Sequence, residues 1–220
     1  MEHNTRLGDL NSMRYLRVDP HEPDTGAIAE AVAILRAGGI VAYPTDTLYG
    51  LAVDPGSDAA VRRLFAVKER DRSAAITLIA ADLAQAQRVG TFGPREVRLA
   101  EAFWPGPLTI IVPAAPALSR WLSSDLGTVG VRVPAHAVAR ALASAFGGCV
   151  TATSANLSGR PAAVTADEVA AAIGDRIDAV LDAGPAPGVS PSTIVEVTNA
   201  GPVLRRAGAV AWDRVLKSLE

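Results

Sequence analysis

Residues able to do chemistry gather where apolar runs end. Thr45, with Asp46 and Thr47, follows the run Ile40–Tyr43. Lys68, Arg70 and Arg72 leave a predicted helix, and Thr128 and Arg132 flank the apolar positions of a predicted strand. Ser154 and Asn156 follow the run 149–153, with Ser192-Thr193 and Arg206 further on. Ligands of open α/β sheets collect at such strand ends. An arginine inside Val129-Gly-Val-Arg-Val133 needs an anionic partner or a hydrated cleft if it is buried. Residues 62–72 hold Arg62, Arg63, Lys68, Arg70 and Arg72 against Glu69 and Asp71 only. Ser154-Ala-Asn156 offers a hydroxyl and an amide suited to phosphate or ribose oxygens. Together these residues describe a cleft for a phosphorylated small molecule. Taken singly they have plainer readings. Thr45 and Ser192 are also ordinary turn residues, and basic residues closing a helix are also a solvated end favoured by the macrodipole.

Several chemistries are not advertised. The sequence contains neither G-x-x-x-x-G-K-[ST] nor G-x-G-x-x-G. His3, His21 and His136 are scattered and form no metal-ligand pair, and His136, opening a helix after Pro134, reads as solvated. No Ser/His/Asp arrangement stands out, so neither a nucleophile nor a protein-held metal is expected. The single cysteine, Cys149, excludes an intramolecular disulfide and a zinc site built on several thiolates. Within Gly148-Cys149-Val150 it reads as a small buried hydrophobe. A net charge of −2 gives no general nucleic-acid footprint, so any basic site must be local. No apolar stretch approaches the roughly 20 residues of a membrane span, and the first residues have no signal-peptide core. The expected location is the cytoplasm.

The elements that must position these residues follow from periodicity. The 220 residues, 49% hydrophobic and 20% charged, suit one globular domain. Residues 1–23 read as a loose polar arm with one strand at Tyr15–Val18, and 24–220 as the domain. Ile28, Val32 and Leu35 mark a helix from Thr25, ended by Gly38-Gly39. Ile40–Tyr43 is a strand stopped by Pro44, which throws the chain into the turn 45–50. Ser57 caps a second helix carrying Val61, Leu64, Phe65 and Lys68. Helices are expected at 82–89, 94–103 and 135–146, from the capping box Thr165-Ala-Asp-Glu168 to Ile173, and at 211–219. Strands are expected at 76–80, 108–112, 128–133, 149–153, 179–182, 193–197 and 203–206, and 183–191 is a loop. Strands and helices mix without strict alternation, which predicts an α/β fold with a twisted mixed sheet and helices packed on it.

The order of motifs resembles one family. Gly38-Gly-Ile-Val-Ala-Tyr-Pro-Thr-Asp-Thr-Leu-Tyr-Gly-Leu51, Phe65-Ala-Val-Lys-Glu-Arg70, Phe103-Trp-Pro-Gly-Pro-Leu-Thr109, Thr128-Val-Gly-Val-Arg-Val-Pro134, Thr153-Ser-Ala-Asn-Leu-Ser-Gly159, Pro191-Ser-Thr-Ile-Val195 and Val203-Leu-Arg-Arg-Ala-Gly208 follow one another as in the YrdC-type threonylcarbamoyl-AMP synthases. The resemblance runs from about residue 25 to 219. It implies a twisted sheet and helices around a large open hollow. It implies a nucleotidyltransferase that converts L-threonine, bicarbonate and ATP, with Mg2+, to threonylcarbamoyl-AMP and pyrophosphate. A tRNA-modifying threonylcarbamoyl-transfer complex would be the partner. By motif, Thr45, Arg132 and Ser192 would hold threonine. Lys68, Arg70, Arg72, Thr128, Ser154, Asn156 and Arg206 would line the ATP side, with Lys68 and Arg70 neutralising charge in the reaction. After Arg70 this chain reads Asp71-Arg-Ser-Ala-Ala-Ile76, where the family usually continues P-x-x-K-P-L. The related YciO branch also deviates there. The alternatives are therefore a YciO-like nucleotide-binding paralogue and a module holding tRNA or double-stranded RNA in the same basic hollow.

Overall fold

The computed structural model describes residues 13–69, 76–122, 127–188 and 190–220. Among them are ten strands: β1 Arg14–Arg17, β2 Val41–Pro44, β3 Tyr49–Ala52, β4 Thr77–Ile79, β5 Leu108–Pro113, β6 Thr128–Arg132, β7 Val150–Ser154, β8 Ala179–Asp182, β9 Thr193–Thr198 and β10 Gly201–Arg206. They form one sheet in the order β1-β8-β2-β3-β7-β4-β6-β5-β9-β10. Strand β8 runs parallel to β1 and β2, β4 to β6, and β5 to β9, while the other neighbours are antiparallel. The sheet is mixed, as expected, and open at β1 and β10. The helices are α1 Thr25–Arg36, α2 Asp58–Lys68, α3 Leu83–Ala86, α4 Pro94–Phe103, α5 Ala137–Phe146, α6 Ala166–Ile173 and α7 Trp212–Lys217.

Alternation along the strands sorts side chains onto two faces. Ala42, Leu51, Leu78 and Val131 share one core with Leu64 of α2, Leu99 of α4, Val169 of α6 and Val215 of α7. Val41, Tyr43, Ala52 and Val150 share another with Leu35 of α1 and Leu142 of α5. Each fully buried Leu or Ile contributes roughly 1.5–3 kcal/mol relative to exposure, so helices cover both faces of most of the sheet.

Local signals set the helix ends. Asp24 caps α1 by accepting from the amides of Gly26 and Ala27, and Ser57 caps α2 through Ala60 N. Helix α1 is followed by Gly38 at φ +83, a backbone conformation natural to glycine. Thr165 caps α6 through Glu168 N, but the Glu168 carboxylate reaches back to Val164 N rather than to the cap residue's own amide.

Three features depart from or sharpen the sequence reading. The run 45–50, expected to be wholly a turn, contains the start of β3, which pairs with β2 and β7. This strand is four residues long and carries a glycine; its partners lie across the hairpin and about a hundred residues away, so periodicity could not reveal it. The helix expected over 82–89 is only the single turn α3. Residues 14–17 add an edge strand to the domain's sheet. Residues 1–12 of the expected arm, Arg70, Arg72 and the family-divergent stretch 71–75 lie outside the described residues. Among the described residues, no helix is long and apolar enough to cross a membrane.

Candidate active site

Where β7 meets both β3 and β4, the uncovered part of one face forms a cavity of about 330 Å3, within the range of roughly 300–1,000 Å3 usual for small-molecule pockets. Alternate residues Thr77 and Ile79 of β4, and Ala152 and Ser154 of β7, make part of its floor. The β2–β3 turn, the segment after β7, and the approach to β9 make its walls.

The turn is built around Thr45. Its hydroxyl donates to Leu48 O at 2.7 Å and accepts from the amides of Thr47 and Leu48. A threonine oxygen thus replaces backbone partners in a tight turn, and it also meets the Thr47 hydroxyl at 3.0 Å. Both residues are 5% exposed and both line the cavity.

Arg132 closes β6. Its neighbours Val131 and Val133 point into the core, so its own side chain takes the opposite direction, into the cavity wall. Nε donates to Gly106 O at 3.0 Å, Nη1 to Thr47 Oγ1 at 3.3 Å, and Nη2 to Asp46 Oδ1. Asp46 is thus the anionic partner that a buried arginine requires. Three of the five guanidinium N–H groups are engaged. The other carboxylate oxygen, Asp46 Oδ2, is buried without a hydrogen-bond partner among the described residues, and so is His136 Nδ1.

Lys68 corrects the reading of a solvated helix end. It is the last residue of α2, yet only 3% exposed. The helix stops at Glu69 in the left-handed region, φ 49. The Lys68 ammonium donates to Ser154 O at 2.5 Å, Asn156 O at 2.8 Å and Asn156 Oδ1 at 3.2 Å. It lies behind the cavity wall and fixes the strand end that faces the ligand space. Asn156 then uses its Nδ2 to hold Leu157 O and Arg160 O, at 2.9 and 2.5 Å.

Ser192 and Arg206 form the opposite wall. Arg206 donates to Ser192 O from Nε at 3.1 Å and from Nη2 at 2.8 Å, and Nη2 also meets Ser192 Oγ at 3.0 Å. Thr109 Oγ1 lies 2.8 Å from the same hydroxyl. Gly208 allows the approach, since a Cβ there would lie 2.2 Å from Pro191 O.

Thr45, Arg132, Ser154, Asn156, Ser192 and Arg206, all singled out from the sequence, are thus brought to one cavity. Thr128 is not among its lining residues; it starts β6, four positions before Arg132, and pairs with Pro113. Arg70 and Arg72 lie outside the described residues. His136 is not solvated as expected: burial of the ring, chiefly, lowers its pKa from the ordinary value. Cys149 is buried, and burial pushes its thiol up to about 12. Thr77 and Arg160 line the cavity but were missed. Thr77 was legible as an alternate position on its strand, and Arg160 as a cation just after Ser154-Ala-Asn156.

Among the described residues the lining contains three arginines, Arg132, Arg160 and Arg206, and no carboxylate. Among the described residues no group of three or more His, Cys, Asp or Glu could hold a metal ion. The donor set suits anionic oxygens and does not suit a cation.

The family model Sua5_yciO_yrdC, described as telomere recombination, matches residues 33–208. A protein of Halorhodospira halophila named threonylcarbamoyl-AMP synthase is 43% identical over 180 residues, covering 81% of this chain and 94% of its own. One of the same name from Alkalilimnicola ehrlichii is 40% identical over 181 residues, with the same coverage. Among solved structures, P. abyssi Sua5 complexed with L-threonine superposes with a TM-score of 0.87 at 32% identity, covering 93% of this chain. The chain spans 60% of the length of that Sua5. E. coli YciO superposes with a TM-score of 0.83 at 27% identity, covering 90% of this chain and 97% of its own.

Proposed function

The chain belongs to the Sua5/YciO/YrdC family, and from that premise we propose that it is a threonylcarbamoyl-AMP synthase, a nucleotidyltransferase of tRNA threonylcarbamoyladenosine modification. The observation that carries the reading is a cavity lined, among the described residues, by three arginines and no carboxylate, with threonine hydroxyls at its deep end. Such a lining suits an amino-acid carboxylate beside a polyphosphate.

L-threonine takes the end formed by Thr45, Arg132 and Ser192. The free edge of the Arg132 fork binds the carboxylate, while Asp46, Thr47 and Gly106 O hold the guanidinium still. ATP takes the side of Ser154, Asn156 and Arg206, with Lys68 behind it, and Arg70 and Arg72 are assigned to the same side by motif. Thr128, off the cavity lining, keeps only its motif assignment there.

The amine of threonine attacks the carbon of bicarbonate, giving the carbamate and releasing water. A carbamate oxygen then attacks the α-phosphorus. An O–P bond forms, the bond to the β-phosphate oxygen breaks, and pyrophosphate leaves with the electron pair. No protein nucleophile is required. The protein aligns reactants and neutralises charge, and its hollow shelters the labile carbamate from bulk water. A divalent cation such as Mg2+ would arrive on the ATP phosphates as part of the substrate, since the described residues of the cavity offer it no carboxylate, and no step is assigned to it. The product passes, in the cytoplasm, to a transfer complex that modifies tRNA.

The test is pyrophosphate release by purified protein. Release should require threonine and bicarbonate together. Equal release with serine, or none in any mixture, would remove the synthase reading. Retained ATP binding without release would then favour a YciO-like nucleotide-binding role, and salt-sensitive RNA binding without release would favour an RNA-holding one.

A further inference from the structure

The three cavity arginines differ in how they are held. Arg132 is engaged by Gly106 O, Thr47 and Asp46, and Arg206 by the carbonyl and hydroxyl of Ser192. The Arg160 guanidinium has no hydrogen bond or ion pair among the described residues, and the residue is exposed while still lining the cavity.

Its backbone, by contrast, is fixed. Arg160 O accepts from Asn156 Nδ2 at 2.5 Å, Arg160 N donates to Leu157 O at 3.1 Å, and Ser158 N donates to Lys68 O at 3.1 Å. Gly159, at φ +77, provides the left-handed residue that brings Arg160 round to the cavity. Asn156 is itself gripped by Lys68. The result is an anchored stem carrying an uncommitted cation.

Depth in the cavity indicates what that cation meets. Thr45, Arg132 and Ser192 are each 5% exposed, and Asn156 6%. Arg160 stands at the mouth. If the amino acid lies at the deep end, as the proposed function holds, the reacting α-phosphate is next to it. The β- and γ-phosphates then extend outward.

We propose that Arg160 is a further catalytic residue, whose guanidinium binds the β- and γ-phosphates and takes up the charge that passes to pyrophosphate as it leaves. This rests on the synthase reading. When the carbamate oxygen bonds to the α-phosphorus, the electron pair of the breaking P–O bond moves onto the β-phosphate. A planar fork matches two of its oxygens and strengthens its hold as their charge grows. Because the charge on those oxygens grows as pyrophosphate leaves, the contact is stronger in the transition state than with bound ATP.

The test compares wild type with Arg160→Ala, Arg160→Gln and Arg160→Lys. Turnover of Arg160→Ala should fall about tenfold or more, as for loss of one charge-assisted contact that forms with the ligand, with partial recovery in Arg160→Lys. Threonine affinity and melting temperature should not change. Calorimetric titration with inorganic pyrophosphate and with AMP supplies a readout independent of turnover. Arg160→Ala should lose at least about tenfold in pyrophosphate affinity and keep AMP affinity. Weakened AMP binding with intact pyrophosphate binding would place Arg160 at the nucleoside end and overturn the proposal, as would full turnover in Arg160→Ala. If wild type releases no pyrophosphate in any mixture yet binds it through Arg160, the synthase reading fails while the anion site stands. If pyrophosphate binding does not depend on Arg160 in an active enzyme, only the inference fails.

Discussion

The ammonium of Lys68, at the end of α2, lies 2.5 Å from the carbonyl oxygen of Ser154, at the end of β7, eighty-six residues later. A helix terminus and a strand terminus are locked together by one buried cation, which also accepts no competing water-filled surroundings at 3% exposure. The contact gives Lys68 a structural role.

Lys68→Ala should therefore lower both turnover and stability. It leaves the carbonyls of Ser154 and Asn156 without their donor, at about 1–3 kcal/mol for a buried group left unsatisfied. Turnover should fall about a hundredfold, because the strand end that carries Ser154 and Asn156 loses its anchor. Chemical denaturation beside a pyrophosphate-release assay checks both. Normal stability would mean that the two carbonyls find water instead.

Arg132→Lys keeps the charge and loses the fork. A lysine cannot hold Gly106 O, Thr47 and Asp46 while presenting two parallel donors to a carboxylate. Threonine affinity should fall at least about tenfold, ~1.4 kcal/mol, with ATP affinity nearly unchanged. Calorimetric titration of each ligand decides it. If ATP weakens and threonine does not, the two halves of the cavity are assigned the wrong way round.

Gly208→Ala should disturb the wall that carries Ser192. The new methyl would meet Pro191 O and the Ser192 carbonyl carbon at 2.2 and 2.6 Å, both backbone atoms. The shift should cost about 1–3 kcal/mol and reduce threonine affinity through Ser192. A variant with wild-type stability and affinity would show that the segment after β10 moves freely.

The protein should lose stability below about pH 6.5 in part through His136. Burial, the largest cause, lowers its pKa from 6.5, although the Asp46 carboxylate opposes the shift; His21 and Arg140 act with burial. The unfolded chain then takes up a proton at a higher pH than the folded one. The contribution is fully present above 6.5 and is lost as pH falls through the folded value. His136→Gln should flatten this part of the pH dependence, measured by denaturation at pH 8 and pH 5.5. An equal pH dependence in both proteins would mean that other groups dominate.

The site reads unevenly from the sequence for a physical reason. Thr45, Arg132, Ser154 and Asn156 stand at the ends of apolar runs, where a polar residue is conspicuous. Arg160 sits in Ser158-Gly-Arg-Pro161, where a cation in a turn looks like ordinary surface. Thr77 hides in a three-residue strand. Asp46 was visible beside Thr45, but nothing local indicated that it would pair with an arginine eighty-six positions away.

By itself the sequence determined the local order. Periodicity placed α1, α2, α4 and α5, and caps at Ser57 and Thr165 set where α2 and α6 begin, because those signals act within one or two turns. Alternation about Val131 and Val133 already put Arg132 on the opposite face. Only the tertiary structure decided strand order, the pairing of β3 with β7, the burial of Lys68, and which oxygens hold Arg132. Those outcomes depend on partners tens to a hundred residues apart, and on desolvation, which exists only once the surrounding elements have packed.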